Sequence, residues 1–413
     1  MAYVPVAFML AGMAAYTVLA GADFGAGLWS LLATGRRGEP SAARIRDQAR
    51  HAMGPVWEAN HVWLIFVLVV CWTAYPVAFG SITSTLAAPL MIAAVGIIFR
   101  GAAYALRGQG ASRAAENLFA VSSVLTPFAL GTAVGAIATG RVPVGNALGN
   151  EVTAWLNPPS VLIGALAVVF SGYLAAVYLA ADSVRYGEPD LADAFRQRAL
   201  LAGLVSGALA LAGLLVMRGS GLDLTHGAAL VLVCVSGAAG LVTLALCRRS
   251  KFSLARLTAA LAVAAVVAGW AAAQAPRFLP GMTVTQAATG RSTLVALIIS
   301  VACGSVILIP SLVLLFTLFL RGRLDTPESH APSESPTASP GAPTTPDLAE
   351  GAREGGRVPP HAREWAGAAV AGLLIGAVLL VFTDATWTHA VGVAGLLLCA
   401  IGVFTLTATS SDG

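Results

Sequence analysis

Apolar runs bounded by charged residues or by Gly and Pro clusters recur at 4–32, 55–79, 82–104, 117–139, 158–181, 199–217, 227–247, 257–273 and 291–320, with two more at 366–383 and 388–408. Each reaches the minimum of about 17 residues that an α-helix needs to cross a bilayer. The stretch from Ala59 to Phe99 holds no Asp, Glu, Lys or Arg, which is room for two crossings. None of the short alternating segments of a barrel occurs, and a lipid-exposed backbone must close its own hydrogen bonds, so the pattern predicts an all-α integral membrane protein. Within 321–365 the pattern changes to Pro, Ser, Thr, Gly and Ala with mixed charge, as in PESHAPSESPTASPGAPTTPD. Such a segment buries too little apolar area to fold and is read as a disordered cytoplasmic linker. The expected organisation is a nine-helix core over 1–320, the linker over 321–365, and a transmembrane hairpin over 366–413 turned at Asp384-Ala-Thr-Trp387.

Composition agrees with this reading. Of 413 residues, 57% are hydrophobic and 11% charged, too little charge to cover a soluble protein of that size. Met1 to Gly35 has no basic n-region, and its apolar stretch is longer than a signal peptide's, so it is read as a retained first span. The net charge of +4 comes from 24 basic residues, all Arg except Lys251, against 20 acidic ones. That balance suggests no nucleic-acid role. The basic residues have a topological pattern instead. Arg36, Arg37, Arg44, Arg46 and Arg50 lie in the first loop; Arg185, Arg196 and Arg198, then Arg248, Arg249, Lys251 and Arg256, lie in later loops on the same side. The opposite loops hold only Arg141, Arg218 and Arg277. Positive-inside asymmetry therefore puts the N-terminus outside and the first loop in the cytoplasm. The five cysteines are scattered through apolar runs with no spacing for zinc, iron–sulfur or attached haem.

With so few charges inside the spans, each is conspicuous, because an intramembrane charge costs about 2.5–3.5 kcal/mol to insert. Asp23 lies in Gly21-Ala-Asp-Phe-Gly-Ala-Gly27 near the inner end of the first span, where three glycines permit close backbone approach. It is either functional or an acid that snorkels or pairs with an Arg. The second span opens with Gly54-Pro-Val-Trp-Glu-Ala-Asn-His-Val-Trp63. Pro55 suits a first helical turn, which places Glu58 where a helix N-terminus favours a carboxylate. His61 follows on the same face, with Trp57 and Asn60 as an adjacent pair at the same spacing. A Glu and a His together can relay protons; a capping acid beside a hydrogen-bonded histidine is the plainer alternative. Arg100 and Arg107 close the third span, either as cytoplasmic anchors or as partners of Glu58 or Asp23. No two histidines have a metal-binding spacing, so no metal site and no haem ligand is assigned to this chain.

These residues resemble a known family, subunit II of cytochrome bd-type quinol oxidases, including its cyanide-insensitive branch. The match is carried by Ala22-Asp-Phe-Gly-Ala-Gly27, by Gly54-Pro-Val-Trp-Glu-Ala-Asn-His-Val-Trp-Leu64 followed by Ala74-Tyr-Pro76, and by Arg100-Gly-Ala-Ala-Tyr-Ala-Leu-Arg107. Trp155-Leu-Asn-Pro158, Tyr173-Leu-Ala-Ala-Val-Tyr-Leu179 and Pro310-Ser311 add to it, over roughly residues 1–320. The resemblance implies a nine-helix subunit of two four-helix bundles plus a peripheral helix, in a heterodimer with a similarly folded subunit I. That partner would carry haems b and d and the quinol-oxidising loop, and the complex would reduce dioxygen to water with quinol electrons and cytoplasmic protons. The chain itself would have no catalytic residue and no redox centre, with room left for a structural quinone.

By the same resemblance, Asp23 and Glu58 belong to the proton supply, with His61 and Asn60 as neighbouring hydrogen-bonding groups and Trp57, Arg100 and Arg107 as supporting residues. His61 stands where many relatives have an acid, Ala105 replaces an acid two residues before Arg107, and Asp182 replaces a base found in some relatives. The expected location is a bacterial inner membrane, multi-pass, in contact with lipid. A small accessory subunit is a further candidate partner, and one reading of the terminal hairpin is that it replaces such a subunit. Two other classes stay open: a secondary transporter with its site at the Gly-rich first span and Pro-containing helices, and a purely structural membrane subunit. No internal repeat of the kind a transporter would carry is found.

Overall fold

A computed structural model describes residues 1–33, 40–51, 56–105, 113–145 and 149–320; of these, the side chains at 50–51, 56–59, 103–105, 113–118, 313 and 315–320 are left undescribed. The linker and terminal hairpin expected over 321–413 lie outside the described residues, as do Arg36, Arg37 and Arg107. The described helices are α1 (Val4–Leu31), α2 (Ala42–His51), α3 (Val56–Ala74), α4 (Pro76–Thr85), α5 (Ala87–Ala105), α6 (Arg113–Ala138), α7 (Pro158–Arg185), α8 (Pro189–Gly219), α9 (Gly227–Arg248), α10 (Phe252–Gln274), α11 (Val284–Ala287) and α12 (Arg291–Leu320). Seven of them are long and apolar enough to cross a membrane: α1, α6, α7, α8, α9, α10 and α12. The α4 and α5 pair, bent by 82°, makes an eighth candidate, and α3 contributes a shorter apolar stretch, Asn60–Ala74.

The structure corrects the expected helices in several places. The run 55–79 is not one helix. Tyr75 leaves helical geometry at φ −137° and ψ 59°, because the ring of Pro76 disfavours the helical region for the residue before it. A second break at Leu86 separates α4 from α5, and Pro89 then falls in the first turn of α5, where its missing N–H costs nothing. Helix α8 starts ten residues earlier than expected, at Pro189. Its first turns carry Asp190, Asp193, Arg196 and Arg198, so a hydropathy criterion registers only its apolar remainder. Three small elements were not anticipated: the charge-rich α2, an antiparallel hairpin of β1 (Arg277–Leu279) and β2 (Met282–Thr283), and the short α11 that follows it.

Helix α1 is the centre of the packing, against α7, α3, α6 and α10. Its glycines make that possible. A Cβ on Gly25 would stand 1.9 Å from the carbonyl oxygen of Ser171, and one on Gly27 would stand 2.0 Å from the Ser123 hydroxyl. The backbones of α1 and α7 therefore touch, as small residues allow where dispersion and not hydrophobicity holds helices together. Trp29 closes the same seam by donating its indole N–H to Gly172 O at 2.8 Å. Between α6 and α7 the same device recurs at Gly131, Gly135 and Gly164.

Two apolar clusters mark the two ends of the bundle. In one, Ile45 and Ala49 of α2 pack with the ends of α1, α7, α8 and α10. In the other, Tyr75, Ala78, Leu86, Val142 and Leu279 pack around the α4 break and the β-hairpin.

Candidate functional site

The packing of α6 against both α1 and α5 brings Asp23 and Arg100 together inside the bundle. Asp23 is 7% exposed and Arg100 2%. The guanidinium Nη2 lies 2.7 Å from Asp23 Oδ1, Nε donates to Asp23 Oδ2 at 3.2 Å, and Nη2 also donates to the Asp23 carbonyl at 2.7 Å. Nη1 donates to the Ser123 hydroxyl, which itself donates to Phe119 O at 2.7 Å. The rings of Phe24 and Phe119 lie 5.0 and 4.3 Å from the guanidinium carbon, within the range of cation–π attraction. The buried guanidinium is matched by a carboxylate, a carbonyl and a hydroxyl, the compensation that a desolvated ion pair requires. Of the two readings of Arg100, cytoplasmic anchor or partner of an intramembrane acid, the structure gives the second, with Asp23 as the acid.

Helix α3 also packs against α1. Asn60, 4% exposed, donates its amide Nδ2 to Leu19 O at 3.3 Å. The His61 ring stands edge-on to Tyr16 and Phe24, with centroids 6.0 and 6.1 Å away. Phe24 is thus shared: one neighbour is Arg100 and another is His61. Glu58 and Trp57 fall in the first turn of α3, but their side chains lie outside the described residues. The sequence therefore anticipated Asp23, Arg100, Asn60 and His61, which converge on residues 16–24 of α1. It missed Ser123, Phe119 and Tyr16. For Tyr16 a signal existed: it lies seven residues before Asp23, the spacing that returns to the same helical face.

Away from the bundle interior the charges form a separate set. Arg44 of α2 pairs with Glu188 and Asp190 at the start of α8, which ties the first loop to the α7–α8 turn. The Arg44 guanidinium holds the Asp190 carboxyl below its usual range. Asp182 is paired with Arg256, which also donates to Tyr178 O at 2.9 Å. In the α8–α9 turn, hydrogen bonds from the Thr225 hydroxyl and N–H, then His226, hold the Asp223 carboxyl down at about 2.

Among the described residues no three His, Cys, Asp or Glu side chains cluster as metal ligands.

The fold and this interior define a polytopic helical membrane protein that, among the described residues, seals the Asp23–Arg100 pair inside it. Residues 1–319 match the family model described as cytochrome bd terminal oxidase subunit II, and the chain belongs to that family. Membership makes it part of a haem-containing oxidoreductase complex in a membrane, assembled with a subunit I. Among solved structures it is similar to a chain of the bd oxidase from Geobacillus thermodenitrificans, at 22% identity and a TM-score of 0.64, covering 77% of this chain and 98% of that one. No curated protein sequence matches it.

Proposed function

We propose that this chain is the haem-free subunit of a bd-type quinol oxidase, supporting assembly and supplying cytoplasmic protons to the oxygen-reducing site of subunit I. The observation that carries this reading is the convergence of Asp23, Arg100, Asn60 and His61 on one face of α1. Reducing dioxygen to water consumes protons and electrons in equal number, so protons must reach a buried site. In this reading Glu58 and Asp23 are the protonatable groups, and Asn60 and His61 are the hydrogen-bonding groups beside them. Arg100 and Trp57 shape the route, and Arg107 supports it at its cytoplasmic side. The haems b and d, the quinol and the dioxygen are handled by the partner. The N-terminus faces outward in a bacterial inner membrane, because the basic loops that fix orientation include the one holding Arg44 and Arg46.

The nine spans are read as α1, α3, α4 with α5, α6, α7, α8, α9, α10 and α12, giving two four-helix bundles and a peripheral helix. The linker and the terminal hairpin are an extension outside the family match, the hairpin standing in for a small accessory subunit.

The test is purification from membranes through a tag on this chain, followed by a reduced-minus-oxidised spectrum. A haem-bearing companion that oxidises quinol is the expected result; a haem-free preparation with no partner overturns the reading and favours a transporter. A second reading, a purely structural subunit, has its own observation: the Asp23–Arg100 pair joins α1 to α5 and so also serves assembly.

A further inference from the structure

Among the described residues, the crossing of α1 and α3 holds the Tyr16 hydroxyl and Asn60 Oδ1 without a hydrogen-bond partner. Tyr16 is 9% exposed and Asn60 4%. An orphaned buried polar group costs about 1–3 kcal/mol, and such groups in native proteins are met by protein or by ordered water. Here the two belong to one place. His61 stands between Tyr16 and Phe24 with its ring about 6 Å from each, which sets the level of α3 against α1. Asn60 precedes His61 and reaches Leu19 O with its amide nitrogen, within about one helical turn, 5.4 Å of rise, of Tyr16. The amide nitrogen is used and the amide oxygen is not, so the missing partner of Asn60 is a donor. A phenol can both donate and accept. Water supplies both roles and needs two to four polar partners to be held.

We infer that Tyr16 and Asn60 hold ordered water between α1 and α3, beside His61, and that this water belongs to the proton route leading to Asp23. The inference rests on the proton-supply reading for its second half only; the water site follows from the unmet hydrogen bonds. Tyr16 is then a positioning residue: its hydroxyl fixes the water, and protons pass by transfer along hydrogen bonds, one entering as another leaves. Tyr16 lies on the same face of α1 as Asp23, and its ring touches His61, so one side chain anchors the water and orders the histidine beside it.

The test uses the assembled complex and Tyr16→Phe, which removes one oxygen and keeps the ring against His61. In a high-resolution map of the unmodified complex, a water peak is expected about 2.7–3.2 Å from both the Tyr16 hydroxyl and Asn60 Oδ1. In Tyr16→Phe the peak should be lost, quinol-driven oxygen consumption should fall severalfold with the haem spectrum unchanged, and the rate ratio between H2O and D2O should rise. Absence of the peak in the unmodified complex overturns the site. A peak with unchanged turnover and unchanged solvent isotope effect in Tyr16→Phe overturns the role. Glu58→Gln separates this inference from the reading beneath it. If Glu58→Gln loses turnover while Tyr16→Phe keeps it, the proton route stands and the water's part in it falls; if Glu58→Gln turns over normally and the peak is present, the water site stands and the route falls.

Discussion

Asp23 and Arg100 show how a membrane interior accommodates charge. Each ion is stripped of water by the bundle and recovers the other as partner, and Arg100 also donates to the Ser123 hydroxyl and the Asp23 carbonyl. Removing one ion leaves the other buried and unmatched, at a cost of about 3–5 kcal/mol. Asp23→Asn and Arg100→Gln should therefore each lower the melting temperature of the purified complex, and the double variant should melt above at least one of the singles. Additive losses in that cycle would mean that the two side chains do not depend on each other. Asp23 was legible in the sequence because carboxylates are so rare in apolar runs, and Arg100 was legible as one of its two candidate partners. Ser123 and Phe119 were not: they reach the pair through the packing of α6, which no local pattern encodes. Tyr16 was overlooked because a lone tyrosine in an apolar run usually signifies packing; only its missing hydrogen bond sets it apart.

Helices α1 and α7 meet backbone to backbone at Gly25, so even one methyl group there collides with the Ser171 carbonyl. Gly25→Ala should sharply reduce the yield of assembled complex in membranes, whereas Gly207→Ala in α8, with nothing within 4 Å of the added carbon, should leave it unchanged. Equal yields of the two variants would contradict the close α1–α7 seam. Helix α2 is held differently, by apolar Ile45 and Ala49 beneath and by Arg44 on Glu188 and Asp190 above. Because Arg44 lowers the folded-state pKa of Asp190, the contribution of this pair is present above the unfolded value, about 4, and is lost as pH falls through the lowered folded value. Hydrogen exchange of residues 42–49 should accordingly speed up in strong acid, at high salt, and in Arg44→Ala at neutral pH. Exchange that ignores all three would show the apolar contacts alone to be sufficient. Span positions were legible from hydropathy, but the ends of α8 and the breaks at Tyr75 and Leu86 were not. The first is a helix continuing past its apolar part, and the break at Tyr75 depends on the proline ring that follows it.

At the scale of the whole molecule, scarcity of charge in the spans and surplus of arginine in alternate loops are two sides of one arrangement. In the orientation proposed above, the loops set the direction of the chain and Asp23 and the first turn of α3 lie toward the cytoplasm, the side from which the proposed proton supply would draw. A single cysteine introduced at Ser41, in a background whose own cysteines are replaced, should react with a membrane-impermeant thiol reagent only after spheroplasts are opened; labelling of intact spheroplasts would reverse the orientation. Subunit II membership was legible in the Gly-Pro-Val-Trp-Glu-Ala-Asn segment and is carried by the match over residues 1–319. How the side chains of α1, α3, α5 and α6 meet was not, because it depends on three-dimensional packing between segments far apart in the chain. The central claim is that Glu58 carries protons inward, and its most direct test is quinol-driven oxygen consumption by the assembled complex bearing Glu58→Gln, with haem content matched to the unmodified enzyme. The account predicts a loss of at least tenfold at an unchanged haem spectrum; full turnover at that spectrum would contradict it.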